Sequence, residues 1–159
     1  IPLEVAENII DQLSEDVDSL RSCALTCRGW DRHARYHLMA SICIQSRDDL
    51  YSIRDYFASN PRMSRFVRSL SMSPATTDKN PRFLLEVLPV DVLERLPNLQ
   101  RYCIAGHGDA ISFHTTTLFH VKAYLLVEEL KLESLQFRTS MDLARVLCAL
   151  PRLRRLECN

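Results

Sequence analysis

Apolar residues recur every three or four positions in the first forty residues, the spacing expected along one face of an α-helix. The first run consists of Val5, Ala6, Ile9, Ile10 and Leu13. Pro2 suits the first turn of that helix, because its missing N–H would have no partner there anyway. A polar break at residues 14–18 precedes a second run, for which Asp16 is a candidate N-cap, and Gly29 is predicted to end that run. Asp31 can cap a third run, so the pattern predicts three small helices in residues 1–40.

A unit of this size is at the lower limit for independent folding, because it buries too little of its apolar surface. Part of that surface therefore needs a cover, which is either the rest of this chain or a partner protein. Trp30 is interpreted as a packing residue, since a buried Trp usually belongs to a core.

From residue 41 onward the pattern changes to a recurring apolar-x-x-apolar-x-apolar form, which indicates short strands. Copies lie at residues 67–72, 99–104, 127–132 and 153–158, with a shorter copy at 42–44. Their corresponding positions are Ile42, Leu70, Tyr102, Leu130 and Leu156, at steps of 28, 32, 28 and 26 residues. These steps are close to the roughly 20 to 29 residues of leucine-rich repeats.

Helical patterns separate most of these strands, at residues 50–57, 83–96 and 141–150, whereas residues 111–123 are less clear. Leu-Pro-x-Leu sequences at 96–99 and 150–153 mark equivalent entries into strands. The alternation predicts an α/β fold, with a short irregular solenoid and a parallel sheet over residues 41–159. The first residue is Ile and the last strand runs into the terminus, so the chain is interpreted as an excerpt that lacks further repeats.

Polar residues lie between the apolar positions of each predicted strand, and they point away from the core because side chains alternate between the two faces. Six of them are candidate contacts for a bound protein: Ser69, Ser71, Arg101, Glu129, Lys131 and Arg155. The alternative interpretation is that they form ordinary solvated surface.

Composition places the chain among folded proteins, with 47% hydrophobic and 25% charged residues. Basic and acidic residues balance at 20 each, so no bulk field favours nucleic acid or an anionic membrane as a partner. No apolar run approaches the roughly 18 to 20 residues of a membrane span. No signal segment opens the chain either, so an intracellular protein is predicted, in the cytoplasm, the nucleus or both. Six cysteines at irregular intervals among apolar neighbours predict buried thiols in a reducing compartment.

The first forty residues also resemble a known family, the F-box. Its pattern opens Leu-Pro-x-Glu-Leu and closes on an apolar-Cys-Arg-x-Trp stretch. The matching residues are Ile1-Pro2-Leu3-Glu4-Val5, the Ile9-Ile10 pair, Leu13, Leu20 and Leu25-Thr26-Cys27-Arg28-Gly29-Trp30. The chain departs from the family in having Ile1 for the usual Leu and in lacking a second Trp near residue 38.

The resemblance implies that residues 1–40 bind the Skp-type adaptor of a cullin-RING ubiquitin ligase. On matching positions the adaptor-facing residues would be Ile1, Pro2, Val5, Ile9, Ile10 and Leu13, with Leu20 supporting them. Residues 41–159 resemble leucine-rich repeats, although the usual Asn after each strand is mostly missing and Asn159 is the nearest candidate. Fungal F-box proteins look similar to this combination, which implies a substrate-recognition subunit that has no catalytic residue of its own.

Two cysteines and two histidines suggest a zinc site at first sight. Cys23, Cys27, His33 and His37 read C-x3-C-x5-H-x3-H. The central gap of five residues is far below the roughly 12 that separate the ligand pairs of a zinc finger. No phosphate-binding glycine loop is present either, so the sequence predicts neither a metal nor a cofactor.

A short segment groups the residue types of a hydrolase: His107, Asp109, Ser112 and His114. It lacks the strand-turn-helix context of a nucleophile elbow, and side chains so close in sequence rarely converge as a triad. A polar loop between repeats is the favoured interpretation. A small hydrolase using His107, Asp109 and Ser112 is one alternative function, and an F-box scaffold that delivers no substrate is another.

Overall fold

The computed structural model describes residues 2–14, 16–75, 95–108, 110–111 and 125–159 of the chain. Internal contacts divide the chain into two compact units, Ile1–Ser41 and Ile42–Asn159. The described residues form a mixed α/β structure with five helices and a parallel sheet of five strands. The predicted α/β class and parallel sheet are therefore confirmed.

Three helices form the first unit, as the apolar spacing predicts: α1 (Leu3–Gln12), α2 (Val17–Ala24) and α3 (Arg28–Ala40). The side chain of Asp16 caps α2 by accepting a hydrogen bond from the backbone N–H of Ser19 at 3.1 Å. A small core joins the helices and consists of Ile10, Leu20, Cys23 and Ala34. Trp30 packs against this core, which is the role predicted for it.

The start of α3 differs from the prediction that Gly29 ends the second helix. Helix α3 begins at Arg28, with Cys27 as its cap residue and Gly29 inside the first turn. Glycine is disfavoured within helices, yet it only lowers the local preference for a helix and does not forbid one. The Cδ1 atom of Leu3 lies 3.4 Å from the position that a β carbon at Gly29 would take, which is an ordinary van der Waals distance. The contacts of α3 with α1 and α2 therefore outweigh the local preference of glycine.

From residue 41 onward, short strands alternate with helices. In chain order the elements are β1 (Ser41–Ile44), α4 (Arg47–Ser59), a 3-10 turn (Met63–Phe66), β2 (Ser69–Met72), β3 (Arg101–Ala105), β4 (Ala110–Ile111), β5 (Glu129–Glu133), β6 (Gln136–Phe137), α5 (Ser140–Ala149) and β7 (Arg155–Cys158). Strands β1, β2, β3, β5 and β7 lie side by side in that order in the main sheet. These five strands coincide with the five predicted strand patterns.

Corresponding positions of the strand patterns are neighbours in the sheet. Leu70 is paired with Tyr102, Tyr102 with Leu130, and Leu130 with Leu156. Leu70, Tyr102 and Leu130 are at most 4% exposed, and they share one core with Leu50 of α4. The apolar residues of alternating positions therefore form the inner face of the sheet, as the period of two requires.

The same hydrogen-bond arrangement recurs where successive strands begin. The carbonyl oxygen of Arg68 accepts the N–H groups of Gln100 and Arg101 at 2.8 and 2.9 Å. In the same way, the carbonyl oxygen of Gln100 accepts the N–H groups of Glu128 and Glu129. The carbonyl oxygen of Glu128 accepts those of Arg154 and Arg155. A carbonyl oxygen has two lone pairs and can accept both bonds. Three strand entries are therefore built alike, at the spacing of the sequence pattern.

Both Leu-Pro-x-Leu sequences form equivalent turns, as expected. The N–H of Leu99 donates to the carbonyl oxygen of Leu96 at 3.3 Å, and that of Leu153 donates to Leu150 at 3.2 Å. Each turn precedes a strand of the main sheet, β3 and β7 respectively. The leucines at both ends of the first turn are buried, with Leu96 2% and Leu99 1% exposed.

Helices α4 and α5 lie where the helical patterns predict them. Ser46 and Asp49 form a capping box at the start of α4, and Thr139 caps α5 by accepting from the N–H of Asp142. The helical pattern at 83–96 and the less clear pattern at 111–123 lie largely outside the described residues.

A second, two-stranded sheet is a feature that the sequence pattern does not predict. Strand β4 pairs in parallel with β6. Strand β4 follows β3 in the chain and β6 follows β5, so the segments after these two paired strands pair with each other as well. The N–H of Gly106 donates to the carbonyl oxygen of Glu133 at 2.8 Å. A β carbon at Gly106 would come too close to the Cδ2 atom of Leu135 and would lie 3.1 Å from the carbonyl oxygen of Ser134, so a larger residue at this position requires the side chain of Leu135 to move.

Candidate functional site

Helix α1 carries two apolar stripes. One faces the core of its unit, where Ala6 and Ile10 are 1% and 0% exposed. The other, here called the outer stripe, consists of Pro2, Val5 and Ile9, which are spaced by three and four residues. All three are exposed, and Val5 and Ile9 keep 48% and 42% of their accessible surface. Helix α1 therefore presents apolar side chains to solvent as well as to its own core.

Two of the predicted adaptor residues lie inside the unit. Ile10 and Leu20 are 0% and 1% exposed, because both side chains pack among the three helices. Ile10 therefore belongs to the core rather than to a contact surface, and Leu20 is placed where it can only support such a surface from within. Leu13 is half-buried against the same core, and Ile1 lies outside the described residues.

Three exposed aliphatic side chains of this unit are not among the predicted contacts. Leu3, Val17 and Leu25 are 52%, 46% and 88% exposed. The second apolar run of the sequence, which consists of Val17, Leu20, Ala24, Leu25 and Cys27, predicts Leu25 on the apolar face of the second helix. In the structure α2 ends at Ala24, and Leu25 follows as its cap residue. Its side chain therefore leaves the buried stripe, which no periodicity in the sequence indicates. Clusters of exposed apolar residues are typical of interaction surfaces.

The outward face of the main sheet, here called the polar face, collects all six predicted substrate contacts. Its two rows read Ser69, Arg101, Glu129, Arg155 and, beside them, Ser71, Cys103, Lys131, Glu157. Each row takes one residue from β2, β3, β5 and β7. All six predicted contacts are at least partly exposed, so they are available to a bound molecule.

Charged side chains of the polar face pair with one another. Nη1 of Arg155 donates to Oε1 of Glu129 at 3.2 Å, and Nζ of Lys131 lies 2.6 Å from Oε1 of Glu133. The bond to the Glu133 carboxylate raises the pKa of Lys131. Exposed ion pairs of this kind contribute little to stability. Little is therefore lost when such a pair is exchanged for contacts to a bound protein.

Cys103 is the half-buried member of the second row. Burial raises the pKa of its thiol, and a hydrogen bond with Ser71 lowers that pKa by a smaller amount. The thiol is therefore protonated at neutral pH and is a weak nucleophile. Its place in the row indicates a packing role between β2 and β5 rather than covalent chemistry.

All six cysteines are free, but the prediction that they are buried is wrong for four of them: Cys27, Cys43, Cys148 and Cys158 are exposed. Only Cys23 is fully buried. Apolar neighbours in the sequence do not determine on which face of a helix or strand a residue lies. This is why the sequence overestimates the burial of the thiols.

Among the residues of the hydrolase alternative, only His107 lies in the described part of the chain. Its Nε2 atom lies 2.7 Å from the carbonyl oxygen of Pro74. A carbonyl oxygen only accepts, so Nε2 carries a proton and donates it. Asp109, Ser112 and His114 lie outside the described residues. His107 therefore acts in this structure as a hydrogen-bond donor in the turn after β3.

Comparisons with known proteins assign no family to the chain. A scan against protein-family models found no match, and searches of curated proteins and of solved structures found none either. In the described ranges no helix is long and apolar enough to cross a bilayer, the longest being α3 and α4 with 13 residues each. The outer stripe and the polar face are therefore interpreted from their own chemistry.

Proposed function

We propose that this chain is the substrate-recognition subunit of a cullin-RING ubiquitin ligase. The Ile1–Ser41 unit binds a Skp-type adaptor through the outer stripe, and the Ile42–Asn159 unit holds the target protein on its polar face. The main support is the exposure of apolar side chains on α1 within a three-helix unit whose sequence resembles the F-box. Of the predicted contacts, Pro2, Val5 and Ile9 are retained in this interface.

The separation of buried and exposed apolar residues on α1 supports adaptor binding. Ala6 and Ile10 already hold α1 to its unit, so covering Val5 and Ile9 takes nothing from the core. Burial of apolar surface is worth about 25 cal/mol per Å², and a partner that covers the outer stripe gains this free energy. An apolar centre with a polar rim is the usual composition of a protein interface.

The regular construction of the sheet supports target binding. Repeated strand entries place the side chains of the polar face at the fixed strand spacing of about 4.8 Å. Along the first row the charge alternates from Arg101 to Glu129 to Arg155. A target with the opposite order of charges would match this row, and such complementarity mainly provides specificity and register.

The mechanism that follows is proximity. A target held on one unit, while the other is bound to the ligase, has its lysines at a high effective concentration near the charged ubiquitin carrier. The bonds are made and broken by the other subunits. The chain therefore needs no catalytic residue for this function.

Complex formation is the first test. The purified chain is expected to form a one-to-one complex with a purified Skp-type adaptor, because Val5 and Ile9 leave apolar surface exposed on α1. Gel filtration and native mass spectrometry measure the stoichiometry. If the two proteins elute separately at micromolar concentrations, both the receptor function and the scaffold alternative are rejected.

Exchanging two charges of the polar face separates a receptor from a scaffold. The double variant Glu129→Arg with Arg155→Glu keeps the ion pair but reverses the charges that a target meets. We expect unchanged adaptor binding. We also expect a loss of ubiquitylation on those proteins whose ubiquitylation requires the wild-type chain. Quantitative mass spectrometry of ubiquitin-remnant peptides measures this. Identical ubiquitylation profiles for the two chains would show that the polar face holds no target.

A further inference from the structure

Two pairs of metal-ligand side chains meet between α1 and α3, apart from the outer stripe and the polar face. Glu7 and Asp11 lie four residues apart on α1, and His33 and His37 lie four residues apart on α3. Residues at this spacing stack on one side of a helix. Because α1 packs against α3, the carboxylates of one helix are brought to the imidazoles of the other.

The imidazoles converge on a single oxygen atom. Nε2 of His33 and Nε2 of His37 each lie 2.7 Å from Oδ1 of Asp11. The three potential ligand atoms all lie within 4.8 Å of one another. An aspartate oxygen and two imidazole nitrogens therefore meet at one point, and both are common metal-ligand atoms.

The histidines are held in place, whereas the cluster stays open to solvent. The side chains of His37 and His33 are 15% and 27% exposed, and that of Asp11 is 53% exposed. The ring of His37 makes edge contacts with those of His33 and Tyr36, at centroid distances of 5.3 and 5.4 Å. Restricted imidazoles beside an accessible carboxylate lose little freedom when an ion arrives, which is the condition for a preorganised site.

We propose that Asp11, His33 and His37 bind a divalent first-row transition-metal ion, with Zn²⁺ as the preferred ion. Two imidazole nitrogens and one carboxylate oxygen are ligands that Zn²⁺ accepts. Mg²⁺ and Ca²⁺ favour sites made of oxygen atoms alone. Three protein ligands leave a fourth position of a tetrahedral ion for water or an incoming ligand. The inference does not depend on the proposed ligase function.

The existing geometry needs only a small adjustment to accept the ion. Zinc-ligand distances of about 2.1 Å in a tetrahedron place ligand atoms about 3.4 Å apart. The ligand atoms therefore move apart by less than the width of an atom. Each neutral imidazole changes to the tautomer that carries its proton on Nδ1, which frees the lone pair of Nε2 for the ion without release of a proton. The side chain of Asp11 is the most exposed of the three, and its rotation would supply this movement while the imidazoles stay in place.

Glu7 is a positioning residue in this arrangement. Its Oε1 atom lies 3.9 Å from Nδ1 of His33, the ring nitrogen that does not face Asp11. Histidine ligands usually donate their second N–H to a carboxylate, which orients the ring and makes it a better ligand. Glu7 lies on the side of the His33 ring that this role needs, one helical turn before Asp11, and the 3.9 Å separation has to shorten to a hydrogen bond when the ion binds.

The expected consequence is a metal-dependent link between α1 and α3. An ion that binds only the folded unit stabilises it by mass action. The side of α1 that carries Glu7 and Asp11 is different from the side that carries Val5 and Ile9. Metal binding is therefore expected to leave the outer stripe accessible.

Metal titration of the complete, tag-free chain tests the proposal. Equilibrium dialysis with elemental analysis is expected to give one Zn²⁺ per chain. Asp11→Asn and His37→Ala should each weaken binding by about 100-fold, and Glu7→Gln by about 10-fold. His107→Ala is the matched control, since it removes an imidazole from the other unit. The Zn²⁺ affinity of this variant should equal that of the wild-type chain. Circular dichroism verifies that each variant is folded.

The six free thiols require a second readout, because cysteines also bind zinc. Co²⁺ at the proposed site gives d–d bands without the intense near-ultraviolet band of a thiolate ligand, and these bands should vanish in Asp11→Asn. A thiolate band would assign the metal to cysteines and overturn the proposal. Equal Zn²⁺ affinity of wild-type, Asp11→Asn and His37→Ala chains, or no binding at micromolar Zn²⁺, would overturn it as well.

Discussion

Replacing Val5 and Ile9 together with glutamate is expected to lower the affinity of the chain for a Skp-type adaptor by at least about 100-fold. Each side chain would enter an apolar interface, where an unpaired carboxylate is costly to bury. Each substitution is expected to cost about 2 kcal/mol of binding free energy. Together the two losses exceed the roughly 2.8 kcal/mol that correspond to a 100-fold change in affinity. The variant should fold normally, because both side chains are more than two-fifths exposed in the free chain.

Calorimetric titration with the purified adaptor measures this affinity, and thermal melting verifies the fold. Met141→Glu is a suitable control, since Met141 is an apolar residue of α5 that is 61% exposed in the other unit. Its adaptor affinity should equal that of the wild-type chain. Affinities within threefold for wild type and the double variant would show that the outer stripe is not the docking surface. Ile10→Ala is unsuitable for this test, because it would remove core packing.

Leu130→Ala is expected to lower the free energy of unfolding by about 3 kcal/mol. Leu130 is 1% exposed and lies on β5 between β3 and β7, on the inner face of the sheet. The substitution removes buried apolar surface and leaves a cavity between the sheet and its helices, and both effects destabilise the fold. A loss of this size is a large fraction of the stability of a typical domain.

The neighbouring substitution Lys131→Ala provides the matched control. Lys131 belongs to the same strand, but its side chain points to the polar face and is 42% exposed, so the unfolding midpoint should shift far less. Urea titration followed by circular dichroism measures both variants. Fluorescence of Trp30, the one tryptophan of the chain, reports separately on the Ile1–Ser41 unit. Equal midpoints for the two variants would contradict the assignment of the inner and outer faces.

The strands and their faces could be predicted from the sequence because they depend on local geometry. A period of two requires that Leu130 and Lys131 point in opposite directions, whatever the rest of the fold does. The regular spacing of the strand patterns then aligned Leu70, Tyr102 and Leu130 in one row. The second small sheet escaped prediction, since its strands have two residues each and carry no measurable period.

The docking surface was only partly predictable. Val5, Ile9 and Ile10 are similar residues on one helix, and periodicity alone does not show which of them the neighbouring helices cover. Packing of α2 and α3 buried Ile10 and left Val5 and Ile9 exposed. Gly29 is a comparable case, because it lies inside the first turn of α3 although glycine has a low helix propensity.

The metal-ligand cluster shows most clearly where sequence information ends. The four-residue spacing of His33 and His37 is visible in the sequence. The residues nearby that could bind a metal together with them were Cys23 and Cys27. Folding placed Cys23 in the core and brought Asp11, 22 residues from His33, to within 2.7 Å of both rings. The sequence by itself thus determined the helical and strand periods, which arise from the backbone. Only the tertiary structure decided which side chains from different elements meet, because that depends on how the elements pack.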